Sequence, residues 1–326
     1  MNRFTLALLV LTIAGAAPAA AQSANNYPDR PVRLVIPFPA GSSTDVMGRI
    51  VAQKLGAKFG QQVVVENRPG ASGSIGADLV AKAAPDGYTI GLITASTHGV
   101  SPVFNSKLPY DPIKDFKPLS MIGAAPYVLV IYAGLPVKSV KDLIDLAKAK
   151  PGTINYGSAG LASLAHLGTA QFADRVGIQI MHVPYRASSQ SVIDIISGRL
   201  EMQIATLAPT MENIRNGKLR ALATTGRRRV ATLPDVPTMI EAGVPDYELV
   251  LWMAFVMPPQ TPDAIVGKLN AAMTDILSAP DTKQTLAQQG FEPEPGPPAN
   301  VTQRITDDIA KWKSLIAATG LKISDR

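Results

Sequence analysis

Short β-branched runs take turns with amphipathic helical runs along almost the whole chain, and this alternation restricts the fold more than any other feature. Residues 32–38 (VRLVIPF) read as a strand, and residues 44–59 as a helix with Met47, Val51, Leu55 and Phe59 on one face before Gly60 stops it. A strand at 62–66, a helix at 74–84 and a strand at 88–94 follow, which spells β-α-β-α-β. The middle repeats the scheme, with strands at 128–132, 154–157, 179–184, 202–207 and 220–224 separated by helices at 139–148, 161–176, 188–197 and 210–216. An apolar strand at 249–257 precedes helices from 262–277, 281–289 and 301–318. Alternation of this kind predicts an α/β fold of mainly parallel sheets flanked by helices, with the binding crevice at the carboxyl ends of the strands.

Two such units in 326 residues predict two lobes with a cleft between them. The uninterrupted apolar strands at 127–132 and 249–257 are the places to cross over. They assign residues 22–127 with 250–326 to the first lobe and 128–249 to the second. Residues 1–21 stand apart: Asn2 and Arg3 form a basic start, 4–14 an apolar run, and Ala19-Ala20-Ala21 a small-residue cleavage site. That run is too short for a bilayer, which takes about 20 apolar residues. It reads as an export signal removed after Ala21, leaving a periplasmic protein.

Composition then excludes several classes of function. With 46% hydrophobic and 17% charged residues, the chain does not read as disordered. Without cysteine it has no disulfide framework, thiolate metal site or sulfur nucleophile. A net charge of +6 favours anionic small molecules, while the densest basic run, Arg227-Arg228-Arg229, reads as a solvated loop, so nucleic acid is not an expected partner. His98, His166 and His182 lie far apart in sequence and none belongs to an HExxH pair, so no metal is expected. Gly217-Lys218 and Gly267-Lys268 are each followed by Leu, so there is no Walker loop, and the GxxGxxG of Gly70, Gly73 and Gly76 reads as a tight turn. No cofactor is expected.

The nearest approach to a serine-hydrolase elbow surrounds Ser158, but Tyr156 stands where GxSxG needs glycine. A nucleophile there needs a base within hydrogen-bond reach, and the sequence offers no recognisable partner. No catalytic residue is therefore expected; a bond from His166 or His182 to Ser158 would reopen the question. Two strand-to-helix turns are rich in small polar residues, AGSSTD at 40–45 and GSAGLAS at 157–163. Each gathers free N–H groups and hydroxyls at the positive end of a helix, which suits an anion. Ordinary N-capping by Ser43 or Thr44 and by Ser158 accounts for them equally well, and the residues alone leave both readings open.

These pieces, with YPDRPVR at 27–33, PFPAGSSTD at 37–45, VENRPGASG at 65–73, PDGY at 85–88, NYGSAG at 155–160, HVPY at 182–185 and DVPT at 235–238, resemble the Bug-type solute-binding receptors of tripartite tricarboxylate transporters. The resemblance spans nearly the whole chain after the leader. It implies a type II periplasmic-binding-protein fold, in which two α/β lobes joined by crossing strands close on a ligand as a hinged trap. It further implies that a ligand carboxylate is gripped between the two turns by backbone amides, hydroxyls and bridging waters, without a buried Arg clamp. Carried over, this puts Phe38, Gly41, Ser42, Thr44 and Asp45 on one wall and Ser158, Ala159, Gly160 and Ser163 on the other.

Asp45, itself an anion, is expected to orient water or cap its own helix. Ser42 departs from the family's common Gly-Gly, adding a hydroxyl that either bonds the ligand or narrows the pocket. The distal end of the ligand is expected at strand ends, by Ser96, Thr97, Tyr185 and Thr206. His98 is expected to be a structural hydrogen-bonder, and Tyr127, Tyr132 and Trp252 to pack at the hinge or core. The implied function is capture of a small carboxylate-bearing molecule by a monomeric receptor that delivers it to membrane transporter subunits. Docking to a signalling receptor instead is the alternative.

Overall fold

The computed structural model describes residues 26–161 and 163–319, so the leader expected at 1–21 lies outside the described residues. In chain order the first elements are β1 (Val32–Ile36), α1 (Ser43–Phe59), β2 (Val63–Asn67), α2 (Ser74–Ala81), β3 (Thr89–Thr94), α3 (Ser101–Phe104) and β4 (Lys117–Tyr132). Then come α4 (Val140–Ala149), β5 (Asn155–Ser158), α5 (Leu164–Val176), β6 (Met181–Pro184), α6 (Ser188–Ile196), β7 (Met202–Thr206), α7 (Met211–Arg215) and β8 (Leu219–Thr224). The chain closes with β9 (Val250–Met257), α8 (Asp263–Ser278), α9 (Pro280–Gln288), β10 (Glu292–Pro293) and α10 (Ala299–Thr319).

The strands run in the order β2-β1-β3-β9-β4-β7-β5-β6, with β8 and β10 also pairing β4. Two parallel blocks stand at the flanks, β2-β1-β3 and β6-β5-β7. The long strands β9 and β4 link them through antiparallel pairings. Every residue of β3 is buried, as expected of a strand covered on both faces. Helix α1 buries Met47, Val51 and Leu55, and Gly60 ends it in the left-handed conformation, φ 67°.

Strand β4 extends ten residues upstream of the expected start at Tyr127, and its two halves have different neighbours. From Lys117 to Pro126 it pairs β9; from Tyr127 onward it pairs β7 and β8. Proline has no N–H for a ladder, so Pro126 fits the handover between partners. Gly123 and a pair of register shifts interrupt the first half and hide it from a pattern reading. At Gly123, φ 154°, an added Cβ would come 2.1 Å from the Glu292 carbonyl oxygen of β10, so the approach requires glycine.

Thr225, fully buried just after β8, fastens this handover. Its hydroxyl accepts the Tyr127 N–H at 2.7 Å and donates to the Leu249 carbonyl at 2.6 Å. Its own N–H reaches the Tyr127 carbonyl at 2.9 Å, and its carbonyl accepts the Leu249 N–H at 3.0 Å.

Two further departures shape the cleft. A π-helical turn, Ala95–Val100, follows β3 where no element was expected, and such turns are frequent at functional sites. Helix α5 begins at Leu164 and not at 161, which lengthens the small-residue turn before it. No helix among the described residues is long and apolar enough to cross a membrane.

Candidate functional site

The first turn is held rigid by one carboxylate. Asp45 accepts the Gly41 N–H, Arg49 Nε and Asn67 Nδ2, each at 2.9 Å, and the Asn67 amide also bonds the Phe38 carbonyl at 2.9 Å. Burial alone would raise the Asp45 carboxyl, but hydrogen bonds from Arg49, Gly41 and Asn67 outweigh it and hold the group below its ordinary range. Gly41 has φ 78° with open space where a Cβ would stand, so the backbone and not crowding demands glycine.

The caps are not the expected ones. Ser42 Oγ accepts the Asp45 N–H at 3.3 Å and Ser163 Oγ accepts the His166 N–H at 3.3 Å, so these two residues cap α1 and α5. The hydroxyl in which the chain departs from Gly-Gly is therefore a helix cap. Ser43 is left over: it is 4% exposed, and its Oγ has no hydrogen-bond partner. A third helix start joins them, where Ser188 opens α6 and Gln203 Nε2 donates to its Oγ at 2.6 Å.

These three N-termini meet at an inner cavity of about 60 Å³, lined among others by Ser42, Ser43, Thr44, Ser163, Ser188 and Thr206. The first N–H groups of a helix lack intrahelical acceptors and carry the positive end of the dipole. The chamber therefore suits an anionic head without containing a charged side chain. Phe38, Pro39 and Ala159 also line an outer cavity of about 1100 Å³, and so form a throat between the two. The outer space is walled by prolines, Phe104, Leu161, Tyr185 and the turn containing Ser72.

The expected residues divide accordingly. Ser42, Thr44, Ser96, Ser163 and Thr206 line the inner chamber, Gly160 and Tyr185 the outer, Phe38 and Ala159 both. Gly41, Asp45 and Ser158 line neither, because their polar groups are turned into the wall. Ser96 and Thr206, expected at the distal end, share the inner chamber with the first turn. Ser96 Oγ accepts the Leu164 N–H across the cleft at 3.2 Å. Ser72 Oγ donates to the Leu161 carbonyl at 2.6 Å from a turn in which Ala71 and Ser72 both have positive φ, so the cleft is shut. Thr97 Oγ1 is taken by the Thr94 backbone and His98 Nδ1. His98 is fully buried against Tyr110 and Phe116, and burial drives it down to about 3.

Ser158 has the histidine neighbour that the sequence did not reveal: His182 Nε2 lies 2.7 Å from its Oγ. Geometry argues against a nucleophile. Ser158 is 0% exposed, and the same Oγ accepts the Gly160 N–H at 3.1 Å and lies 3.0 Å from the Gly160 carbonyl. His182 stacks on His166 at 4.0 Å and on Tyr156 at 5.0 Å. Burial and then the charge of His166 lower it to about 4, which makes it a weak base. The pair braces the turn from behind.

The sequence reading overlooked Ser188, although Ala187-Ser188-Ser189 is a third small-residue turn after a strand. It also overlooked Ser72 and the binding potential of Ser43.

The sequence and the fold have counterparts among known proteins. The family model described as "Tripartite tricarboxylate transporter family receptor" matches residues 47–321. Protein BugT of Bordetella pertussis is 38% identical over 319 residues, covering 98% of each chain. Among solved structures, R. palustris Rpa4515 with adipate is 35% identical with a TM-score of 0.88, covering 91% of this chain and 99% of that one. MatC from Rhodopseudomonas palustris with bound malate is 28% identical with a TM-score of 0.84, covering 89% and 100%.

Proposed function

The chain belongs to the tripartite tricarboxylate transporter receptor family, and from that premise we propose that it captures one carboxylate-bearing small molecule between its lobes. The observation that carries this reading is Ser43 Oγ, buried and unpartnered where three helix N-termini meet. A carboxylate head there accepts the Ser43 hydroxyl proton and the free N–H groups of α1 and α5. The inner chamber holds little more than the head, so the rest of the ligand passes the Phe38–Ala159 throat into the outer cavity. Adipate on Rpa4515 and malate on MatC support an acid as ligand.

The lobes are residues 22–127 with 250–326, and 128–249; they swing about the point where β4 changes partners. Ligand touches both walls when the cleft is shut, so binding shifts the population toward closure. The leader at 1–21 sends the protein out of the cytoplasm, and the loaded monomer passes its acid unchanged to membrane subunits.

The test is a thermal-shift and calorimetric screen of refolded protein against small carboxylates and their neutral amides. An acid at a hundred times its Kd adds about 2.7 kcal/mol, enough to move Tm by several degrees. Ser43→Ala is expected to weaken acid binding about 10- to 100-fold, the range for a lost hydrogen bond to a charged group. Because Ser43 Oγ has no protein partner, the apo Tm should stay put. Equal binding of amides, or an unchanged Kd in Ser43→Ala, overturns the carboxylate reading; recovery of altered acid after incubation overturns the non-enzymatic one.

A further inference from the structure

We propose that Ser72 is a latch: its hydroxyl fastens one lobe to the other beside the throat, holds the shut form together without gripping the ligand, and so sets how long a captured acid stays. This rests on the capture reading above and adds to it a positioning residue that acts on closure. The Ser72 hydroxyl donates to the Leu161 carbonyl at 2.6 Å, and the two residues stand 89 positions apart in the chain, one on each of the proposed lobes. The same oxygen lies 3.6 Å from where a Cβ on Gly160 would stand, so it rests against the second turn itself. Both ends of the bond belong to the protein, so it favours the shut form before any ligand atom contributes.

Each half of the latch is built in advance. On the first lobe, Asn67 ties the start of the loop to Asp45 and to the Phe38 carbonyl at 2.9 Å each, and the Arg68 N–H reaches the Ile36 carbonyl at 2.8 Å. The Gly73 N–H closes the turn on the Gly70 carbonyl at 2.9 Å. A Cβ on Gly73 would come 2.6 Å from Thr97 Cγ2 and 3.2 Å from Phe38 Cζ, so the loop is seated on the throat residue Phe38. Ala71 and Ser72 stand at φ 47° and 53°, a region that residues other than glycine seldom adopt and that clusters where a fold carries function. On the second lobe, Ser158 Oγ holds the Gly160 N–H at 3.1 Å and lies 2.7 Å from His182 Nε2. A hydrogen bond between groups already fixed costs little entropy to form. A second bond across the cleft, from the Leu164 N–H to Ser96 Oγ at 3.2 Å, involves a residue of the inner chamber, so Ser72 and not Ser96 separates closure from the grip on the ligand's head.

The chain has no cysteine, so Lys82→Cys on the first lobe and Ile193→Cys on the second, both exposed, take a fluorophore pair that reports the gap between the lobes in single molecules. The experiment compares this labelled protein with its Ser72→Ala and Ser72→Gly variants, first free and then with small carboxylates of short and long tail. Ala71 already holds alanine at φ 47°, and glycine enters this region freely, so both variants keep the loop and lose only the hydroxyl. Loss of one neutral hydrogen bond should lower the shut-to-open ratio of the free protein about 2- to 10-fold in both. The dissociation rate should rise by about the same factor for every acid, short or long, with the association rate unchanged. A free-protein ratio that matches wild type in either variant overturns the latch. So does a loss confined to long-tailed acids, which would make Ser72 a ligand contact. Failure of every acid to bind overturns the carboxylate reading alone, because the free-protein comparison still decides the latch.

Discussion

The two cavities that meet at Phe38 and Ala159 are built on opposite principles. The inner one is small and carries no charged side chain; hydroxyls and helix ends at Ser42, Ser43, Ser163 and Ser188 share its wall with Phe38, Leu164 and Leu251. The outer one is roomy, mixes prolines and aromatic rings with polar side chains such as Asn105, Ser106 and Gln190, and carries full charges on exposed side chains. A fixed set of N–H groups suits what all ligands of a class share. A wide, adaptable wall suits what distinguishes one from another. Faults in the inner wall should therefore weaken every acid alike, whereas faults in the outer wall should re-rank acids by their tails.

The largest expected effect is from Asp45→Asn, which removes the charge that holds Gly41, Arg49 and Asn67 together. It should cost about 1–3 kcal/mol of stability, read as a Tm lower by several degrees, with affinity falling about equally for short and long acids. A tail-dependent loss would break the division between the cavities.

Acid comes next. His166 and His182 have folded values of about 4 against 6.5 for the ordinary group, because burial disfavours their charged forms. Between those values the unfolded chain binds more protons than the folded one, so their contribution is complete above 6.5 and is lost as pH falls toward about 4. Tm should drop across that window, and with it the affinity of acids that fill the inner chamber alone, since both rings stand behind its wall. A flat Tm from pH 6.5 to 4.5 would contradict buried neutral imidazoles.

Ser158→Ala should lower Tm by a few degrees, through loss of the His182 and Gly160 bonds at about 1 kcal/mol each. Lost affinity at unchanged Tm would make Ser158 a direct grip and move the inner wall. The smallest effect belongs to Leu161→Ala, on a side chain 41% exposed at the outer cavity. A two- to five-fold loss, about 0.5–1 kcal/mol for the partial burial involved, should appear for long-tailed acids and vanish for short ones.

Much of this was legible in sequence because local rules decide it. The β-α alternation carried the two parallel blocks, and Gly60 marked the end of α1 through its left-handed backbone. Small polar residues after β1 and β5 marked two of the three helix starts at the site. What stayed hidden depends on partners distant in the chain. Which serine caps and which is left unpartnered depends on the residue at which α1 begins, and nothing in the run GSST distinguishes Ser42 from Ser43. The first half of β4 was obscured by Gly123 and Pro126, residues that argue against a strand until β10 and the change of partner explain them. Ser158 and His182 meet because β5 and β6 are adjacent, which their separation in sequence does not announce.

Thr225 gives the crossing a pivot pin. Its bonds run to Tyr127 and Leu249, the residues on either side of the two crossings. If the proposed swing of the lobes takes place about this point, opening and closing need not break and remake the hydrogen bonds that hold the strands together.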